Sequence, residues 1–238
     1  MKNKKIILIF ILISILLAFK NNYLMEVKSL SNSIVLFYNY FDSDFLIDIT
    51  TIVIYSMPLS MWLFIISIVA KSYYDNYCFL VTRVGGKVGF LIKFLIKVTK
   101  ETFMVVSLSY LITIVILSVM YKYNTMGNMK DILLSFMSNY SMTMVFVLIF
   151  CTLMIFYSFS VSLSITYIGQ IALLVISLFF EYIGQRGIVL KNPMMMSIVF
   201  SDTLQINSTN HLSAILMNVV LIICLLIMYI LFFCKREI

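Results

Sequence analysis

Charge is scarce in this chain: 11% of its 238 residues are Asp, Glu, Lys or Arg, against 63% hydrophobic. Soluble domains hold apolar content near half, so a free-standing soluble domain is excluded. Glycine and proline are few, at 7 and 2. His211 is the only histidine, and neither His-Glu-x-x-His nor Gly-x-Ser-x-Gly occurs, which leaves metal-dependent and triad-type hydrolysis without residues. The four cysteines, Cys78, Cys151, Cys224 and Cys234, have no metal-ligand spacing and no common outer compartment. Neither a disulfide, a metal nor any cofactor is expected. The short alternating segments of an outer-membrane barrel are also missing.

What is present is apolar surface, with 20 Phe, 17 Met and 15 Tyr and a mean hydropathy of +1.08. A hydrocarbon core of about 30 Å needs roughly 20 helical residues, whose backbone satisfies itself in lipid. Runs of that kind lie at about 6–25, 49–70, 102–121, 141–159, 163–180 and 212–233. The expectation is therefore an all-α, polytopic membrane bundle of six transmembrane helices in a single domain, 1–238. The fourth and fifth runs have no charged residue between Asp131 and Glu181. Their combined length exceeds two bilayer cores at about 1.5 Å per residue, so two crossings are expected, with a turn among Ser158, Ser160, Ser162, Ser164, Thr166, Tyr167 and Gln170.

At the start, Lys-Asn-Lys-Lys followed by about 14 apolar residues also has the length of a signal-peptide core. Only Ala18-Phe19-Lys20 follows, without a small-x-small cleavage pattern, and with Lys20 snorkelling the segment reaches spanning length through Tyr23, Leu24 and Met25. A retained first helix is expected.

Basic residues set the orientation. With both termini cytoplasmic, the inner segments hold Lys2, Lys4, Lys5, Lys71, Arg83, Lys87, Lys93, Lys97, Lys100, Lys235 and Arg236, which is 11 of the 17 Lys and Arg. The outer segments take 7 of the 10 acids, among them Asp42, Asp44, Asp48 and Glu181. The net charge of +7 thus falls at membrane-proximal edges, where anionic headgroups are the natural counter-ions and nucleic acid is not an expected partner. Asp48, Glu101 and Glu181 read as helix-boundary residues, and Thr113 and Asn218 as helix-to-helix hydrogen-bonding groups.

The stretch RVGGKVGFLIKFLIKVTK, residues 83–100, breaks the scarcity of charge. Lys93, Lys97 and Lys100 recur at four and three residues and share one helical face, while Phe90, Leu91, Phe94, Leu95 and Val98 fill the rest. This predicts a basic amphipathic helix at the inner interface that runs into the third crossing. Gly85 and Gly86 predict a break before it, giving helix, bend, helix. The Gly-Gly-Lys triplet is not a phosphate loop: Val81 and Val88 stand where that motif needs Gly and Ser or Thr. On its own the loop reads first as a solvated, lipid-hugging connector.

The run YYDNYCFLVTRVGGKVGFLIKFLIK, residues 73–97, resembles the first inner loop of ABC-2-type transporter permeases, through Tyr74, Asp75, Tyr77, Leu80, Arg83, Lys87 and Lys93. In that family a short coupling helix with a hydrophobic-x-x-Arg element precedes a Lys-containing amphipathic segment. The likeness covers about 25 residues of local pattern and the topology of the whole chain. Gly85-Gly86-Lys87 departs from it, where many members carry a Ser-Arg or Pro-rich element.

The resemblance implies a permease subunit in a bacterial plasma membrane that is not itself an enzyme. A soluble ATP-binding subunit would dock on Tyr74, Asp75, Tyr77, Leu80, Arg83, Gly85, Gly86 and Lys87, and a second permease copy or sibling would complete the pathway. An aromatic and basic knob of Tyr73, Tyr74, Tyr77, Phe79 and Arg83 would project into the cytosol as the anchor, with a smaller contact at 158–166. The outer loop 181–211 would dip back to close an outer gate, with Glu181, Pro193 and Met195 as gate candidates; it reads equally as a cap on the headgroups. The low internal charge favours a lipophilic or peptide-like cargo. The other class in play is a non-transporting interaction protein, an immunity or sensor component that binds a toxin or regulator.

Overall fold

The computed structural model describes residues 29–41, 49–84, 86–120, 125–184, 199–200 and 208–235. Within them the chain is helical, apart from short connections, one two-residue strand pairing and an isolated bridge between Ser29 and Thr125. The helices are α1 (Leu30–Asn39), α2 (Ile49–Asp75), α3 (Tyr77–Val84), α4 (Lys87–Met120), α5 (Met129–Phe156), α6 (Phe159–Tyr182) and α7 (Ser208–Lys235). Strands β1 (Tyr40–Phe41) and β2 (Val199–Phe200) pair in parallel, with Tyr40 opposite Val199. Five helices, α2 and α4 to α7, are long and apolar enough to cross a membrane. They make this a membrane-embedded protein and match the second to sixth expected crossings. The expected first crossing, 6–25, lies outside the described residues.

Every one of the five helices is longer than its hydrophobic run. Hydropathy marks only the part inside hydrocarbon, whereas the backbone ladder propagates until a residue stops it. Thus α5 starts at Met129, where Asn128 caps it by accepting from the Lys130 N–H at 3.1 Å, and Asp131 adds an acid to its first turn; both features favour a helix N-terminus. At its far end only Tyr157 and Ser158 separate it from α6, so 131–181 forms two helices, as its length requires. The turn is shorter than expected because the candidate turn residues lie mostly on α6. Ser162, Thr166 and Gln170 are buried at four-residue spacing. Thr166 donates back to the Ser162 carbonyl at 2.8 Å, Gln170 Nε2 donates to the Ser56 carbonyl at 3.2 Å, and Tyr167 donates to the Ser60 carbonyl at 2.9 Å. Polar side chains inside a membrane bundle satisfy themselves by such bonds.

Helix α5 is the hub. Of its most apolar stretch 61% is buried, against 11% for α7, so α5 forms the core and α7 presents most of its surface outward. Thr113 and Asn218 serve as helix-to-helix groups as expected: Thr113 Oγ1 lies 2.7 Å from the Tyr38 hydroxyl, and Asn218 Nδ2 donates to Ser141 Oγ at 3.1 Å.

One element was not foreseen. Residues 26–48 read as an outer loop, yet α1 is buried over all its length except Asn32. At about 1.5 Å per residue it is about 15 Å long, half a bilayer core. It begins at the α4–α5 turn, where Leu30 and Ser31 donate to the carbonyls of Thr125 and Met126. It ends alongside the middle of α4 and α5, so it enters the bundle and stops. A short helix at that depth persists because protein surrounds it.

Candidate functional site

The candidate site is the 73–100 region. Helix α2 ends at Asp75, and Asn76 covers its end by donating from Nδ2 to the Ser72 carbonyl at 2.7 Å. Helix α3 follows for eight residues and is closed by a backward bond from Gly86 N–H to the Val81 carbonyl at 3.1 Å. Gly86 adopts φ +116°, where a side chain is strained, and its carbonyl then accepts from Phe90 N–H to open α4. The expected helix, bend and helix are therefore present, and α4 runs unbroken from the basic segment into the crossing. Gly85 lies outside the described residues.

The expected aromatic knob is corrected for its tyrosines, while the Phe79 side chain lies outside what is described. Tyr73, Tyr74 and Tyr77 do not project freely but pack, half-buried, against the core. The Tyr74 hydroxyl meets the Tyr229 hydroxyl at 2.6 Å, and its ring lies edge-on to Phe94 at 5.1 Å. Tyr77 sits edge-on to Phe90 at 4.8 Å and to Phe233 at 5.9 Å. Phe90 and Phe233 stack at 5.8 Å, and Phe94 and Tyr229 at 6.0 Å. Rings from α2, α3, α4 and α7 thus form one cluster, because large apolar rings gain more from mutual burial in edge and stacked pairs than from facing water.

Leu80 and Val81 turn α3 towards the same core, while Asp75 and Arg83 are exposed. Lys87 is half-buried at the start of α4. Lys93 and Lys100 are exposed, opposite the buried Phe90, Leu91, Phe94 and Val98, which is the predicted amphipathic division. Lys97 pairs with Glu101 one turn on at 2.5 Å. Glu101 is therefore a mid-helix residue rather than a boundary one. Lys71 lies over the Phe159 ring at 5.0 Å and ties the end of α2 to the start of α6.

Tyr229 and Phe233 are the members that sequence reasoning missed. Their four-residue spacing was the available signal: with His211, Ala214 and Asn218 they form the buried stripe of α7. Of the gate candidates, Glu181 falls in the last turn of α6, and Pro193 and Met195 lie outside the described residues. The shared rings join α3 mechanically to α4 and α7. No protein-family model, curated protein or solved structure matches the chain, so this reading rests on its own residues.

Proposed function

We propose that the chain is the membrane-spanning permease subunit of an ABC-type exporter that moves a lipophilic or peptide-like substrate by alternating access, energised by a separate ATPase subunit. The observation that carries the reading is α3 itself: a short helix set off by turns at Asn76 and Gly86, with Asp75 and Arg83 exposed and its other face seated on rings of α4 and α7. A partner that displaces such an element moves two crossings at once. The gathering of Lys71, Arg83, Lys87, Lys93, Lys97, Lys100 and Lys235 at this end supports a cytoplasmic position for α3. A second permease copy would complete the pathway.

The filled core favours a second reading. With α1 inserted among α2, α4 and α5, a fixed interaction protein of the immunity or sensor class is also consistent with the described residues.

Co-purification and ATPase coupling separate the two readings. An ATP-binding subunit should co-purify with the chain, and Arg83→Glu should lower transport-coupled ATP hydrolysis about tenfold while membrane insertion stays normal. Unchanged coupling in Arg83→Glu, or a reporter fused near Gly86 that responds outside the cell, would end the permease reading.

A further inference from the structure

One buried donor near the deep end of α1 has no acceptor. Trp62, the chain's single tryptophan, is 1% exposed, and its indole Nε1 has no hydrogen-bond partner. A buried N–H left in that state is costly. The same indole lines a cavity of about 20 Å³ where α2, α5 and α6 meet Tyr38 of α1, enough for one water.

Acceptors share the cavity wall. Asn139 gives both amide hydrogens away, to Asn39 Oδ1 at 2.9 Å and to the Tyr110 hydroxyl at 2.8 Å, which leaves Oδ1 as its acceptor. Gln170 donates from Nε2 to the Ser56 carbonyl at 3.2 Å, and its Oε1 receives a long contact from Ser60 Oγ at 3.4 Å. Pro58, also in the wall, has no N–H, so the carbonyl four residues back in α2 lacks its helical donor. Ordered water is one means by which membrane helices tolerate proline.

We propose that this cavity is a binding site for one structural water, which accepts from Trp62 Nε1–H and donates to Asn139 Oδ1 and Gln170 Oε1. Three bonds are the usual complement of a buried water. The chemistry selects water over a cation, because an indole N–H requires an acceptor and none of the residues lining the cavity is a carboxylate. The water is shared by two hydrogen-bonded groups: Ser56 with Gln170 between α2 and α6, and Asn39, Tyr110 and Asn139 among α1, α4 and α5. It thereby seats α1 and α5 against α2 and α6, whether or not the chain transports a substrate.

The test is solid-state NMR of the full chain in lipid bilayers with an isotope-labelled indole, where a single tryptophan gives a single indole signal. Magnetisation should pass from water to the indole proton, although Trp62 is buried. Leu59→Phe, which sets a ring in the cavity wall, should abolish that transfer. Gln170→Met, which keeps the chain length and deletes one acceptor, should shift the indole signal. No transfer in the unmodified chain, transfer that survives Leu59→Phe, an indole signal unmoved by Gln170→Met, or transfer that changes when sodium replaces potassium in the buffer would each overturn the proposal, the last by assigning the cavity to a cation.

Discussion

The two ends of the bundle are held together by different physics. At the α1 end the joints are directional. The Tyr38 hydroxyl is shared with Ser109 at 2.8 Å and Thr113 at 2.7 Å, the Tyr110 hydroxyl with Ser135 at 2.9 Å, and Asn139 Nδ2 donates to both Asn39 at 2.9 Å and Tyr110 at 2.8 Å. Beside this network a cavity of about 20 Å³ is lined by Trp62, Gln170, Asn139 and Tyr38, room for about one water. At the basic end, rings stack and meet edge-on, and the Tyr74 and Tyr229 hydroxyls pair. Buried hydrogen-bond networks specify one arrangement, whereas ring pairs keep much of their energy over a range of offsets. The α1 end is thus built to hold one geometry and the basic end to tolerate several, a division that the proposed push on α3 would require.

The most direct way to break that contrast is to unseat α1. Gly127 adopts φ +73°, and a Cβ there would collide with Ser31 Oγ, the atom that accepts from Asn128 N–H at 3.0 Å. Gly127→Val should cost about 3 kcal/mol, from left-handed strain plus overpacking, read from SDS unfolding in mixed micelles. Ser31→Gly in the same chain should restore the steric part but not the strain. A loss below about 1 kcal/mol would mean that α1 is not pinned at this turn.

A gentler cut removes only directionality. Tyr38→Phe keeps the ring, stacked on Tyr110 at 4.2 Å, and deletes two hydroxyl bonds; a loss of about 1 kcal/mol is expected. Combined with Ser109→Ala the two changes should be strongly non-additive, because they share one bond. At the basic end, Tyr74→Phe and Tyr229→Phe should each cost only about 0.6 kcal/mol, and the double variant little more than either. If the tyrosine pair at the basic end proves costlier than Tyr38, the assignment of stiff and soft ends is reversed.

How much of this was legible beforehand follows the same division. The five described crossings could be read because lipid selects on hydropathy over about 20 residues, and the break at Gly86 because a glycine pair has few other uses inside a helical run. Helix α1 could not be read: ten residues, LSNSIVLFYN, are too few to cross and too polar at Ser31, Ser33 and Asn39 to stand out. Their burial is decided by partners 71 to 100 residues away. For the same reason the fourth crossing was expected to begin only at 141, whereas Ser135 and Ser138 already lie on the buried face of α5. In the candidate site, the basic face of α4 was legible from spacing alone. The inward turn of Tyr74 and Tyr77 was not, because a tyrosine suits a docking surface and a buried cluster equally well, and only the positions of Phe90, Phe94, Tyr229 and Phe233 decide between them.

The smallest expected effect lies at the soft end. Lys97 and Glu101 form a partly exposed i,i+4 pair, and such pairs contribute about 0.3–0.5 kcal/mol and fade with salt. Lys97→Gln and Glu101→Gln should therefore lower stability by the same small amount at low ionic strength, with the difference from the unmodified chain vanishing at about 1 M salt, where the Debye length is about 3 Å. A difference that persists at that salt would show that the pair is held by packing along α4 rather than by charge.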